Sequence, residues 1–346
     1  MKYCKSLLII LIITLICTPY FEYYEIAVAN TIRSFVYFKN KSHISDDSIP
    51  VLKLRTEKKG VYNPVTIALT VLNDAQNIIK SNLYKTDYTC KIDTLKIFKV
   101  ADWFKNNSLP VSYNGIEGVV PYYNFDFTSS YKGLLAPWLS CMSQGHGAEV
   151  CLAAYYLSGD SSYYYLAEEL LNVLKIPIEH GGVLENVDGG VWFEEYATNS
   201  PNYECPYVLN GHMFAMKSLY WFTRVDSLKW FPLYDSAFSA VESNIFKYKA
   251  KTWSKYDRLK TYANNKYHNI HIEQLSELLT IRYSQNIDQA NKAFKINKLL
   301  PFGFYERLFF MHNRMSFFLL FLNYLVFSIL FLFASKFKSI FLKKII

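Results

Sequence analysis

From Met315 to Ala334 the chain carries no charged side chain and consists largely of Phe and Leu, a run that restricts the fold more tightly than any other. About twenty such residues at about 1.5 Å each reach across the hydrocarbon layer of a bilayer. Residues 315–334 are therefore expected to form a transmembrane helix, with a basic cytoplasmic tail over 335–346. The alternative is a helix buried in the core of a soluble domain. At the other end an apolar run from Leu7 to Cys17 follows Lys2 and Lys5. At about eleven residues it has the size of a signal-peptide core and is short for a span. Ala27 and Ala29 have cleavage-site spacing, but Glu22 and Glu25 separate them from the apolar core, so residues 1–30 read equally as a signal peptide or an uncleaved signal anchor. Cys17 is a poor candidate for lipid attachment, because Ile16 stands where a small residue is wanted. Lysines lie before the first segment and after the second, and by the positive-inside tendency both ends face the cytoplasm. The expectation is a membrane-anchored chain with its domain on the non-cytoplasmic side, in a Golgi lumen or a cell envelope.

Between these ends a polar linker (31–60, patternless from about Asn40 to Gly60) leads into a domain expected over 61–300. Apolar residues recur there at helical spacing: Ile67, Leu69, Val71 and Leu72; Val150, Leu152, Ala153 and Leu157; Leu166, Leu170, Leu171 and Leu174; Met213, Met216, Leu219 and Phe222; Ile272, Leu275, Leu278 and Leu279. The faces have a period of about 3.6 and are broken by turn signals such as Ser158-Gly159-Asp160 and Asp188-Gly189-Gly190. The fold class is mainly α, built of helical hairpins. Two stretches read otherwise: Asn114 to Thr128 as an extended segment or hairpin, and the glycine-rich Glu179 to Trp192 as a loop or hairpin.

The net charge of +8 is spread as single lysines outside the C-terminal tail, which argues against a nucleic-acid partner, since that needs a basic stripe on the folded domain. It suits an acidic polysaccharide, and equally ordinary solubility. Of six cysteines, Cys4 and Cys17 belong to the N-terminal segment; Cys90, Cys141, Cys151 and Cys205 form no closely spaced metal pair. Cys141 and Cys151 read as small core residues. The many Tyr and Phe read mainly as core filling, with a minority left for a ligand.

The candidate chemistry lies in Trp192-Phe193-Glu194-Glu195-Tyr196, followed by Tyr207-Val208-Leu209-Asn210-Gly211. Two carboxylates and a phenol in one turn region can remove and return a proton without a cofactor. A solvated turn or a sugar-stacking edge has the same composition. His180, His268 and His271 invite a metal reading, but no carboxylate-spaced ligand set accompanies them, so no metal is expected. Substrate orientation or core hydrogen bonding fits them better. Asn210 suits either a substrate contact or a cap on the following helix.

In chain order, Pro137-Trp138-Leu139-Ser140 with Gln144-Gly145, Glu179-His180-Gly181-Gly182, the Glu-Glu-Tyr segment, Tyr256-Asp257-Arg258 and Tyr267-His268-Asn269-Ile270-His271 resemble the C-terminal domain of D-glucuronyl C5-epimerase over about residues 60 to 285. The resemblance implies an α/α toroid, an incomplete barrel of helical hairpins. It implies an isomerase that converts D-glucuronate to L-iduronate within a heparan-type polysaccharide, with no cofactor. It places Glu195 and Tyr267 as opposed base and acid, assisted by Tyr196 and Tyr256, the ring face served by each remaining open. Substrate contacts are then expected from Trp138, Gln144, His180, Glu194, Asn210, Arg258, His268 and His271. The partners are a glucuronate-containing acidic polysaccharide and a membrane, and a homodimer is allowed.

Two departures matter. The family's arginine stands three residues after its tyrosine, whereas Arg258 stands two after Tyr256, which leaves Lys260 or Lys266 as substitute carboxylate clamps. His146 stands where the family's Gln-Gly-Gln pattern has its second glutamine. Two rival functions share the same residues: a uronate polysaccharide lyase on the same scaffold, and a non-catalytic glycan-binding or assembly factor.

Overall fold

The computed structural model describes residues 2–36, 43–44, 49–52, 60–87, 92–311 and 314–345. Most of the expected linker, and Cys90, lie outside the described residues. The described chain is mostly helical. After α1 (Lys2–Val36), a short pair β1 (His43–Ile44) and β2 (Pro50–Val51) precedes α2 (Pro64–Leu69), α3 (Leu72–Tyr84) and α4 (Thr94–Asn107). The hairpin β3 (Leu109–Tyr113) and β4 (Ile116–Val120) leads to α5 (Cys141–Ser158) and α6 (Ser161–Asn172). A second hairpin, β5 (Leu184–Val187) and β6 (Gly190–Phe193), is followed by α7 (Leu209–Val225), α8 (Ser227–Asn244), α9 (Asn265–Ile281), α10 (Gln285–Leu299), α11 (Phe302–Met311) and α12 (Arg314–Ile345).

Both extended stretches are antiparallel hairpins. The first begins earlier than its composition suggests, because Asn114 (φ 47) and Gly115 (φ 76) form the turn itself. Two successive residues of positive φ match the twist of a tight hairpin, and Asn-Gly adopts them at least cost.

Helices α3, α5, α7 and α9 each pack on the next, while α6, α8 and α10 each pack on the helix before them. This is a series of helical hairpins joined by short links, as between α5 and α6: Gly159 takes φ 72 to end α5, and the Asp160 side chain accepts from Ser162 N at 2.8 Å to start α6. Helix α5 packs against α2, α3, α4, α6 and α7. It is therefore buried continuously from Cys141 to Ala154, Gln144, His146 and Glu149 included, and its sequence lacks a clean amphipathic period. Among the described residues Cys17, Cys141, Cys151 and Cys205 are free thiols, Cys141 and Cys151 being buried.

The terminal helices pack on each other. Both are long and apolar enough to cross a membrane, over Lys5–Glu22 and Ser316–Lys336, and only 11% of the second window is buried, unlike a core helix. Thr18 meets Asn323 at 3.2 Å and Glu22 meets Arg307 through two contacts of 3.0 and 2.7 Å, an antiparallel order along the pair. Asn265, at the start of α9, also donates to Glu22 at 2.5 Å. Past residue 300, α11 is tied to the preceding domain: Glu306 accepts from Lys251 N, Thr252 and the Tyr262 hydroxyl.

Candidate active site

A cavity of about 550 Å³ opens where the first turns of α3, α5, α7 and α9 meet. Its wall includes Tyr123, Phe127, Trp138 and Tyr196 as an aromatic side, and Glu195, Asn210, Lys266 and Tyr267 as a polar side. The aromatic side is tied together by stacking and a hydrogen bond. Trp138 stacks on Tyr123 at 3.8 Å, donates Nε1–H to Phe125 O at 2.8 Å, and stands 5.7 Å from the Tyr196 ring. Flat apolar faces of this kind suit the C–H surface of a sugar.

Backbone bonds hold the Glu-Glu-Tyr segment. Cys141 N, in the first turn of α5, donates to Glu194 O, and Leu139 and Ala197 exchange hydrogen bonds of 3.0 and 2.9 Å. Past the end of strand β6 the chain bends at Glu195 and Tyr196, and the two carboxylates part. The Glu194 carboxylate accepts from Tyr207 N at 3.2 Å. Glu195 turns the other way into the cavity wall, where Asn210 Nδ2 lies 3.4 Å and the Tyr256 hydroxyl 3.5 Å from its oxygens. Its carboxylate rests on the first turn of α7, which is possible only because residue 211 is glycine: a Cβ there would lie 2.3 Å from Glu195 Oε2. Leu209 N bonds Tyr256 O at 3.1 Å, which sets Tyr256 beside this turn. The Tyr256 ring meets Tyr267 at 4.7 Å, and Asn264 caps α9 by accepting from Tyr267 N at 3.0 Å. One carboxylate and three phenols thus share one region.

Burial pushes the Glu195 carboxyl up to about 7, with hydrogen bonding from Tyr196 and Tyr256 offsetting part of the effect. Burial and the Glu195 charge push the hydroxyls of Tyr196, Tyr256 and Tyr267 up as well. A tyrosine acting as base would need nearby positive charge to lower it; these stay protonated. The set therefore supplies one poised base and phenolic acids.

The other expected substrate residues lie elsewhere. Arg258 is turned to the Glu194 side, over the rings of Tyr207 (4.5 Å) and Trp192 (5.4 Å), and Glu194 is buried there, its carboxyl pushed up by desolvation. Gln144 is enclosed in α5, its amide oriented to donate to Val119 O and Leu170 O. His180 stacks on Tyr113 at 4.1 Å, outside the cavity wall. His268 and His271 share Ser254 Oγ at 2.7 and 3.1 Å, His268 also stacks on Trp253 at 3.7 Å, and burial pushes both imidazoles down to about 3. That is core hydrogen bonding. Asn210 does not cap α7, since the helix begins at Leu209 behind Val208; its side chain serves Glu195. Among the described residues, no three His, Cys, Asp or Glu side chains converge as a metal site would require. Sequence reasoning missed Gly211 as a seat for Glu195, the wall residues Tyr123 and Phe127, and Gln76; only Gly211, adjoining a singled-out Asn210, carried a signal.

Fold and site define a helical-hairpin domain with an acid–base cluster in an aromatic-walled cavity. A family model described as "D-glucuronyl C5-epimerase C-terminus" matches residues 117–296, more than half of the chain. The chain belongs to this family. It is 28% identical over 207 residues to the uncharacterized protein MJ1128 of Methanocaldococcus jannaschii, covering 58% of this chain and 62% of that one. It is 37% identical over 90 residues to the D-glucuronyl C5-epimerase of Caenorhabditis elegans, covering 26% of this chain and 14% of the nematode protein. The chain thus spans less than two thirds of each of these relatives.

Proposed function

We propose that the chain is an isomerase, a C5-epimerase that converts D-glucuronate to L-iduronate residues within a heparosan-like polysaccharide. The observation that carries this reading is Glu195, a buried carboxylate poised near neutrality in the cavity wall beside three protonated phenols. C5 of a uronate is acidic only through its neighbouring carboxylate, and the intermediate gathers nearly two negative charges. The site must hold that carboxylate, take a proton from one ring face and supply one to the other. In this scheme Glu195 removes the C5 proton, Asn210 and Tyr256 hold its carboxylate in place, and Tyr267 donates from the opposite face. Tyr196 completes the aromatic wall and hydrogen-bonds the base. Lys266, on the wall one residue before Tyr267, takes the clamping role that Arg258 cannot reach, because Arg258 is turned toward Glu194.

The activity named for the nematode relative agrees with this reading. Helices α1 and α12 would tether the domain to a membrane, and the lysines of both ends support a non-cytoplasmic domain. The test is incubation of the purified chain with heparosan-like polymer in deuterated water. Deuterium at C5 with iduronate signals in the NMR spectrum is the expected result. Growth of ultraviolet absorbance from an unsaturated uronate would assign a lyase instead, and binding without deuterium uptake would assign a glycan-binding protein.

A further inference from the structure

A second, smaller cavity of about 220 Å³ lies beside the first, and Lys217 walls both. One face of α7 runs past the two in turn. Asn210, Phe214 and Lys217 belong to the first, Lys217 and Trp221 to the second, at the three- and four-residue spacing that lines side chains up along a helix. Asn210 and Trp221 are thus about 16 Å apart along the axis. Helices α3, α8 and α9 close the second cavity with Tyr84, Tyr234 and Gln274. Tyr84 and Glu277 are exposed, whereas Trp221, Tyr234 and Gln274 are buried, so the space runs from an open rim to a buried floor.

Three polar atoms of these floor residues have no hydrogen-bond partner among the described residues: Trp221 Nε1, Tyr234 Oη and Gln274 Oε1. Buried polar groups are seldom left so, and each costs stability until a partner meets it. Their chemistry is fixed. The indole N–H only donates, and burial pushes the Tyr234 hydroxyl up, so it keeps its hydrogen. The Gln274 amide nitrogen donates to Asn210 O at 3.1 Å, which leaves the amide oxygen as an acceptor. Lys217 and Glu277, the charged residues of the wall, pair with each other at 2.7 Å. Two donors and an acceptor without an unpaired charge fit groups that both accept and donate, as alcohols do. A carboxylate only accepts and would leave the Gln274 oxygen unmet. The ring of Tyr220 stands 5.9 Å from Trp221 and 5.6 Å from Tyr234, and such rings add apolar faces for C–H surface. The space has room for a single sugar ring.

We propose, resting on the assignment of the first cavity to a uronate polymer, that the second cavity binds a neutral, hydroxyl-bearing sugar of that polymer through Trp221, Tyr234 and Gln274. Gln274 also ties the two cavities together, since its nitrogen holds the backbone of Asn210, whose side chain lies 3.4 Å from Glu195.

The test uses the full-length chain in a detergent without a sugar headgroup. Titrations of glucose and of glucuronate are followed by saturation-transfer NMR, and KM and kcat for deuterium exchange are measured on heparosan-like polymer. Tyr234→Phe removes the unpartnered hydroxyl and keeps the ring, so its thermal midpoint should not fall. Its affinity for glucose should drop roughly threefold to tenfold, the worth of one neutral hydrogen bond, while that for glucuronate, which the first cavity takes, should stay within about twofold. KM for the polymer should rise by the same factor with kcat nearly unchanged. Trp221→Phe, which loses the indole N–H, should act in the same direction and decides alone should Tyr234→Phe fail to fold. Unchanged glucose affinity in both variants would overturn the proposal, and so would equal weakening toward glucose and glucuronate, which marks packing damage. Glucose binding that depends on Tyr234, in a chain showing no exchange, would uphold this cavity and refute the epimerase assignment; exchange with an unchanged KM in both variants would do the reverse.

Discussion

Replacing Glu195 by Gln removes the charge and keeps the shape, so it should separate catalysis from stability. The carboxylate is buried between Asn210, Tyr256 and the first turn of α7, and desolvation pushes its ionisation from 4.5 up to about 7. In the unfolded chain the group ionises near 4.5. Between there and about 7 the folded chain holds the extra proton, so this group's contribution to stability falls as pH rises through that window and is fully lost above it. The displacement corresponds to roughly 3 kcal/mol at most. Glu195→Gln escapes this cost. The variant should match the wild type in stability at pH 4 and exceed it at pH 8 by up to about 3 kcal/mol, while C5 deuterium exchange falls by about 10² or more. Chemical denaturation at the two pH values and NMR-detected exchange read the two effects. Near-normal exchange in the folded variant would remove Glu195 from the mechanism, and a stability difference independent of pH would refute its desolvated state.

In the wild type, exchange should rise with pH through about 7 as Glu195 becomes the free base, and a flat profile between pH 6 and 8 would contradict that role. Gly211→Ala should favour helix α7 on propensity yet displace the Glu195 carboxylate, whose Oε2 lies 2.3 Å from the new Cβ position; exchange should fall by roughly tenfold or more with helical circular dichroism retained. Tyr267→Phe keeps the ring packing on Tyr256 and removes the hydroxyl, so deuterium should still enter one epimer while almost none of the other forms; unchanged conversion to iduronate would sink the two-face assignment. Because Glu22 pairs with Arg307 in a buried contact, cleavage after Ala29 would leave Arg307 without this ion pair, so N-terminal sequencing of the expressed protein should find residues 1–30 retained. If α1 and α12 both tether the domain, as proposed, deletion from Ser316 onward should leave the chain membrane-bound through α1, and a fully soluble product would count against that anchor.

Much of the scaffold is legible along the chain because its causes are local. The apolar period of Leu166, Leu170 and Leu171, the Gly159-Asp160 stop and start, and the Asn114-Gly115 turn each act through neighbouring residues. The two apolar ends are equally plain, since length and lack of charge suffice to define them. Helix α5 is harder to read, because a helix packed on by five others has no polar face to set a period. The site was legible as a set of residue types, and its membership was decided in three dimensions. Glu194 and Glu195 are chemically identical in sequence, yet the chain bends at 195–196, and one carboxylate lies toward Tyr207 and the other toward the cavity. Arg258, two residues from Tyr256, faces the Glu194 side, and His268, next to Tyr267, turns into the core against Trp253. Neighbours in sequence diverge because strand and helix geometry point adjacent side chains to different faces, whereas Glu195, Asn210, Tyr256 and Tyr267 meet because separate elements carry them to one place. The sequence by itself therefore determined which chemical groups were present, the helical class and the apolar ends; only the packing of α3, α5, α7 and α9 decided which groups share a cavity and which are buried apart.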